Sequence, residues 1–187
     1  QPQPEKDGAY SWLKAPRYQG RPQEVGPLAR LIVAYHAGHA QTKGLIDGLL
    51  TKLGLQLKDL NSTLGRHAAR ALECKMVADQ CALWVEQLKP GQPVCQPFSP
   101  PAGATGAGLT EAPRGALGHW LTIKNGKIAN YQCVVPTTWN CSPRDAQGNP
   151  GPVEQALAGA TLADPAQPLE AARVVRSFDP CLACAVH

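Results

Sequence analysis

Long apolar runs are missing from this 187-residue sequence. The longest, such as Leu31 to Tyr35, fall far short of the roughly 18 residues a membrane-spanning helix needs. The chain, opening on Gln1, is therefore expected neither to span a membrane nor to carry its own secretion signal. A strong charge excess is also lacking, since 18 Lys and Arg against 14 Asp and Glu leave a net charge of +4. No segment sets Lys or Arg among aromatic residues as a nucleic-acid groove would require, so nucleic acid is not an expected partner. Charged residues amount to only 17% and hydrophobic ones to 43%, a balance that can bury a core and excludes disorder along the whole chain. A second C-x-x-C pair is absent, and with it the zinc-ribbon and four-cysteine iron–sulfur patterns. The cysteines are Cys74, Cys81, Cys95, Cys133, Cys141, Cys181 and Cys184, an odd number that cannot pair completely within the chain.

What is present reads as one turn-rich domain over residues 1–187, with glycine and proline at 18 each. Residues 1–9, polar and proline-interrupted, read as a mobile end. Tyr10 to Gly26 reads as irregular chain that packs its aromatics onto something else. Helical spacing begins at Pro27 and should run to about His39, and a second periodic piece, Leu45 to Leu53, stops at Gly54. The longest helix is expected from about Ser62 to Lys89, capped near Asn61 to Thr63 and ended by Pro90-Gly91. Cys74 and Cys81, seven apart on that helix, share a face and read as buried thiols. Gln92 to Gly108 reads as a surface loop. Leu117 to Ile123 and Ile128 to Val135 flank Asn125-Gly126, a strong hairpin signal. Pro136 to Gly151 reads as irregular, whereas Pro152 to Ala158 and Pro168 to Phe178 read as short helices. The expected class is mainly α with a small antiparallel β-hairpin region.

The last nine residues, DPCLACAVH, carry two thiols three apart with a carboxylate before them and an imidazole after. A redox C-x-x-C normally opens a helix after a strand, but this one follows a helix. An apolar tail of this kind needs an anchor, and a metal held by both thiolates would supply it.

This motif resembles the C-terminal motif of the large subunit of nickel-iron hydrogenases. The likeness extends to SWLKAPRY (Ser11 to Tyr18), EVGPLAR (Glu24 to Arg30), GRHAARALE (Gly65 to Glu73), GLTEAPRGALGHW (Gly108 to Trp120), NYQCVVPTTWN (Asn130 to Asn140), SPRD (Ser142 to Asp145) and VVRSFDPCLAC (Val174 to Cys184). A related subunit of respiratory complex I lacks the terminal cysteines, so Cys181 and Cys184 favour the hydrogenase branch. The chain then corresponds to the C-terminal portion of a single large-subunit domain with that family's fold.

The resemblance implies a centre of nickel and iron bridged by two thiolates, with carbon monoxide and cyanide on iron. Cys181 would be a terminal nickel ligand and Cys184 a bridging one. The remaining two thiolates would come from the N-terminal part of the subunit, whose arginine-rich C-x-x-C motif is not in this sequence. Arg114, after Pro113, would lie beside the cyanides, with Asp179 orienting it. Leu117, Val135, Pro136 and Thr137 would form the pocket for cyanide and carbonyl, Thr137 offering its hydroxyl. His187, with the main-chain carbonyl of Cys133, would bind magnesium or iron. His36, His39 and His67 read as packing residues, while His119, close after the arginine motif, is the histidine nearest to a role. The implied activity is heterolytic oxidation of hydrogen, a proton passing to a terminal thiolate such as Cys181 or a nearby base. Electrons would leave through iron–sulfur clusters found only on a small subunit. NYQCVVPTTWN most resembles the membrane-attached respiratory uptake type, which implies the periplasmic side of the cytoplasmic membrane, peripheral attachment through the partner and a membrane cytochrome. The alternatives are a hydrogen-sensing regulatory protein on the same centre and a non-catalytic nickel-binding fragment.

Overall fold

A computed structural model describes residue 3 and residues 5–185. Of the expected mobile start, residues 1, 2 and 4 lie outside that range. Helix α1 (Pro27–His36) opens on its proline, whose missing N–H needs no partner there. It ends at His36 rather than His39, because Gly38 takes a left-handed turn and His39 caps the next helix. That cap, His39 Nδ1 accepting from the Thr42 N–H at 3.3 Å, also explains why α2 (Ala40–Leu53) starts before its apolar periodicity does. After a short 3-10 turn at Leu57–Leu60, Ser62 Oγ accepts from the Gly65 N–H at 3.1 Å and starts α3 (Thr63–Gln87). Leu28, Leu31, Ile46, Leu50, Leu60 and Ala69 form the first core, with Leu72 and Met76 of α3 packed on it.

Cys74 and Cys81 are exposed, contrary to the buried thiols expected. Cys74 stands two residues from both Leu72 and Met76, which turns it to the opposite side of the helix, and Cys81 shares its face. Their mutual spacing was legible, but which face would be covered was not. Trp12 and Tyr18 also keep exposed rings.

Three antiparallel strands, β1 (Gly103–Ala112), β2 (Gly115–Lys124) and β3 (Lys127–Val134), form a sheet in that order. The expected hairpin closes at Asn125-Gly126, both with positive φ as the tight turn requires. A second hairpin precedes it. Ala112 pairs with Gly115 and leaves Pro113 and Arg114 as a two-residue tip. The expected loop over Gln92 to Gly108 is thus corrected at its end, where Gly103 to Gly108 pairs with β2. The strand is exposed almost throughout and carries no apolar alternation, so its only signature is the backbone pairing β2 provides. Pro136 to Asn140, expected to be irregular, is a short helix α4 (Pro136–Asn140). It packs on β2 and on the tail helix α7 (Leu182–Ala185). The expected helices α5 (Pro152–Ala158) and α6 (Leu169–Ser177) meet over Val153, Val174 and Phe178.

Polar ties join the two cores. Buried Asn140 bonds both backbone groups of Val25, accepting from its N–H and donating to its carbonyl at 2.9 Å each. Arg66 grips Glu24 by two bonds of 2.8 Å and lies 3.9 Å over the Phe178 ring. Arg70 donates to the Ser177 carbonyl at 3.1 Å, so α3 holds the end of α6. Leaving one such buried partner unpaired costs about 1–3 kcal/mol.

A fourth tie centres on Arg17, which donates to Asp145 at 3.1 Å, Ser142 Oγ at 3.2 Å and the Pro143 carbonyl at 2.8 Å. Burial would raise the Asp145 pKa, but hydrogen bonds from the Asn149 backbone and side chain, Arg17 and the Gln147 N–H outweigh it and hold it at about 2. A depressed acid stabilises the fold above its ordinary pKa, and that contribution disappears as pH falls towards 2. The difference in unfolding temperature between the natural protein and Asp145→Asn is therefore expected to narrow as pH drops from about 4 to about 2. A difference independent of pH over that range would refute it.

Candidate metal centre

The tail reaches the site from α6. Asp179 adopts a left-handed φ of 50°, which turns the chain back so that Cys181 and Cys184 fall beside α4. Its N–H donates to the Arg176 carbonyl at 3.0 Å. The buried Thr137 Oγ1 accepts from the Cys181 N–H at 3.0 Å, and Thr138 Oγ1 donates to the Cys184 carbonyl at 3.3 Å. Two adjacent residues of α4 therefore hold the backbone of both cysteines. Because Thr137 receives this bond on its oxygen, its own proton can still be donated onward.

Both thiols are free and half-buried. A hydrogen bond from Cys184 lowers the Cys181 pKa, with help from the Arg114 charge. Cys184 is pushed up to about 11, first by burial and then by that same bond and the charge of Cys181, while the nearby Cys133 adds to the rise. Two sulfurs sharing one proton beside a guanidinium can hold a soft cation that displaces the proton, and thiolates select nickel, copper and iron over magnesium or calcium. The thiol pair suits a soft metal, nickel and iron among them, and supplies two donors towards it. Among the described residues no group of three or more His, Cys, Asp or Glu is arranged around a metal position.

Arg114 sits at the β1–β2 tip and reaches the tail. Its Nε donates to the Asp179 carbonyl at 2.8 Å and lies 3.2 Å from Asp179 Oδ2, while Nη2 donates to Oδ1 at 3.4 Å. Both side chains are more than a third exposed, so the ion pair itself contributes at most about 1 kcal/mol to stability. Its consequence is orientation. Val135 caps α4 and Pro136 opens it, both next to Thr137 in the chain. Leu117 is half-buried on β2, the strand under α4. Pro113 lies at the exposed tip.

The Cys133 carbonyl accepts from Lys14 Nζ at 3.3 Å, an ammonium that also reaches Gln132 Oε1 at 3.4 Å. The oxygen assigned to a hard cation thus already faces a positive charge. His187, its expected companion, lies outside the described residues. His119 pairs across the sheet with Cys133 and bonds the Tyr131 hydroxyl. Lys14, Arg66, Asn140 and Arg30, which donates to the Ala112 and Pro113 carbonyls ahead of Arg114, each support the site without having been singled out from sequence. All four lie inside the motifs quoted above, which was the available signal, but what each touches depends on chain far away.

A model of the nickel-dependent hydrogenase family matches residues 2–187. The chain is 48% identical over 188 residues to the hydrogenase-1 large chain of Escherichia coli K12, covering 95% of this chain and 32% of that one. It is 49% identical over 193 residues to an uptake hydrogenase large subunit of Bradyrhizobium diazoefficiens, covering 98% and 32%. To a quinone-reactive Ni/Fe-hydrogenase large chain of Wolinella succinogenes it is 47% identical over 189 residues, covering 98% and 33%. The chain spans about a third of the length of these curated relatives. Among solved structures, a reduced, active Ni-Fe-Se hydrogenase from Desulfomicrobium baculatum superposes with a TM-score of 0.86 at 45% identity, covering 100% of this chain and 39% of that one.

Proposed function

Because this chain belongs to the nickel-dependent hydrogenase family, we propose that it is the thiolate-bearing C-terminal part of the catalytic subunit of a nickel-iron hydrogenase that oxidises hydrogen. The observation that carries this reading is the Cys181–Cys184 thiol pair held by Thr137 and Thr138 beside the Arg114–Asp179 pair. The bound nickel-iron centre, with carbon monoxide and cyanide on iron, supplies heterolytic cleavage of hydrogen. Cys181 and Cys184 would bind it, and Cys181 Sγ or a base nearby would take up the proton. Thr137 orients the Cys181 peptide, and its hydroxyl proton would be offered to a cyanide. Arg114 presents a permanent positive charge and N–H donors to anionic ligands, and Asp179 keeps that guanidinium facing inward. Leu117, Val135 and Pro136 enclose the apolar side and exclude water, while Pro113 shapes the turn that aims Arg114. By the resemblance, the Cys133 carbonyl and His187 would hold a magnesium or iron ion, which requires Lys14 to release that oxygen.

The remaining two thiolates come from the N-terminal part of the subunit, consistent with relatives about three times as long. Electrons pass to a small subunit that carries the iron–sulfur clusters. No helix among the described residues is long and apolar enough to cross a membrane. The likeness to a quinone-reactive chain supports attachment at a membrane through the partner, while a membrane cytochrome and the periplasmic side rest on the resemblance of residues 130–140 to the respiratory uptake type.

Metal analysis of the complete complex is expected to give about one nickel and one iron per large subunit, with infrared bands from bound carbon monoxide and cyanide. Nickel without iron or those bands would leave only a nickel-binding fragment.

A further inference from the structure

Arg30, on α1, uses every donor it has. Nε donates to Glu73 Oε1 at 2.6 Å, and Nη2 donates to Glu73 Oε2 at 2.7 Å and to the Pro113 carbonyl at 2.9 Å. Nη1 donates to Glu111 Oε2 at 2.7 Å and to the Ala112 carbonyl at 2.9 Å. A guanidinium has five N–H groups, and all five are engaged. Glu73 fixes the fork from α3, and the other three bonds converge on the residues leading into Arg114.

Pro113, beyond the strand ladder, has little else to hold it. Strand pairing stops at Ala112 and Gly115, and Pro113 has no N–H to contribute. The Pro113 carbonyl belongs to the peptide plane entering Arg114, so whatever holds that oxygen sets the direction of the Arg114 side chain. On the far side, the Arg114 carbonyl lies so close to Gly26, which caps α1, that a Cβ there would stand 2.9 Å from it. Helix α1 thus touches the tip at two points, one on each side of Arg114.

We infer that Arg30 is a positioning residue for Arg114, acting through the Pro113 peptide plane and aiming the guanidinium at the metal ligands. The inference rests on the role proposed above for Arg114. Arg30→Lys keeps the charge, and with it the long-range field, but a compact ammonium with three donors cannot span Glu73 and two successive carbonyls. The test uses the intact complex with its small subunit. Arg30→Lys is expected to retain nickel and iron, shift the cyanide infrared bands and lower kcat about tenfold at unchanged KM for hydrogen. In an Arg114→Lys background the same substitution should cause no further loss. Amide exchange across residues 112–116 should rise about tenfold while α3 is unchanged, a readout that requires no turnover.

Unshifted cyanide bands with wild-type kcat would overturn the inference, as would equal losses in both backgrounds or unchanged exchange at the tip. Should Arg30→Lys fail to assemble, Glu73→Gln loosens the fork at its anchor. It must then show the band shift and the masking by Arg114→Lys, and their absence overturns the inference. A natural complex without carbon monoxide and cyanide bands would sink the reading of the site itself, whereas normal bands that ignore Arg30 would sink only its role.

Discussion

Replacing Cys184 with serine is expected to leave the complete complex without its nickel-iron centre and without hydrogen turnover, while the surrounding fold survives. Serine retains the backbone bond that Thr138 makes to residue 184 and is smaller than cysteine, so packing changes little. What disappears is the soft donor. A hydroxyl at this position would have to ionise against the same burial that pushes Cys184 up to about 11, from a much higher starting point. It would also be a hard ligand to a metal selected by thiolates. Nickel occupancy is expected to fall by at least about tenfold, with an unfolding temperature near that of a metal-free control. Normal nickel and iron in Cys184→Ser would remove this sulfur from the centre.

The second large effect separates assembly from turnover. Arg114→Lys is expected to keep the metals, because Arg114 bonds Asp179 rather than either cysteine. The half-exposed ion pair contributes little to stability, so unfolding should shift by no more than about 1 kcal/mol. Turnover is another matter. Lysine carries the charge but neither the planar fork nor the reach to offer donors inward while remaining tied to Asp179. Loss of one preorganised donor beside developing charge typically costs about 100-fold or more in rate. Hydrogen oxidation should fall by that order at full metal content. Undiminished oxidation by Arg114→Lys would show that Arg114 merely braces the tail.

Both variants change residues whose chemistry is legible in the amino-acid sequence. The cysteine pair, the arginine motif and Asp179 were legible through their resemblance to a family, and the structure brings Arg114, Asp179, Thr137, Cys133 and both thiols together. The supporting residues were not legible. Nothing local in EVGPLAR says that Arg30 will meet Glu73 on another helix and two carbonyls at a hairpin tip. Nor does NYQCVVPTTWN say that Asn140 will bond both backbone groups of Val25. Strand β1 was unreadable for a related reason, because an exposed glycine-rich edge has no apolar alternation and is defined by its neighbour. The cysteines of α3 show the converse limit, in that periodicity told which residues share a face but not which face is covered.

By itself the sequence determined the helix starts at Pro27, Ser62 and Pro152, the turn at Asn125-Gly126 and the soft-donor chemistry of the tail. Each of these depends on bonds within a few residues or on the intrinsic nature of a side chain. The tertiary structure alone decided where those thiols sit, what aims Arg114 and which sides of α3 and β1 stay open. Those outcomes are set by hydrogen bonds and packing between residues some 40 to 130 positions apart, whose geometry exists only once the chain has closed on itself.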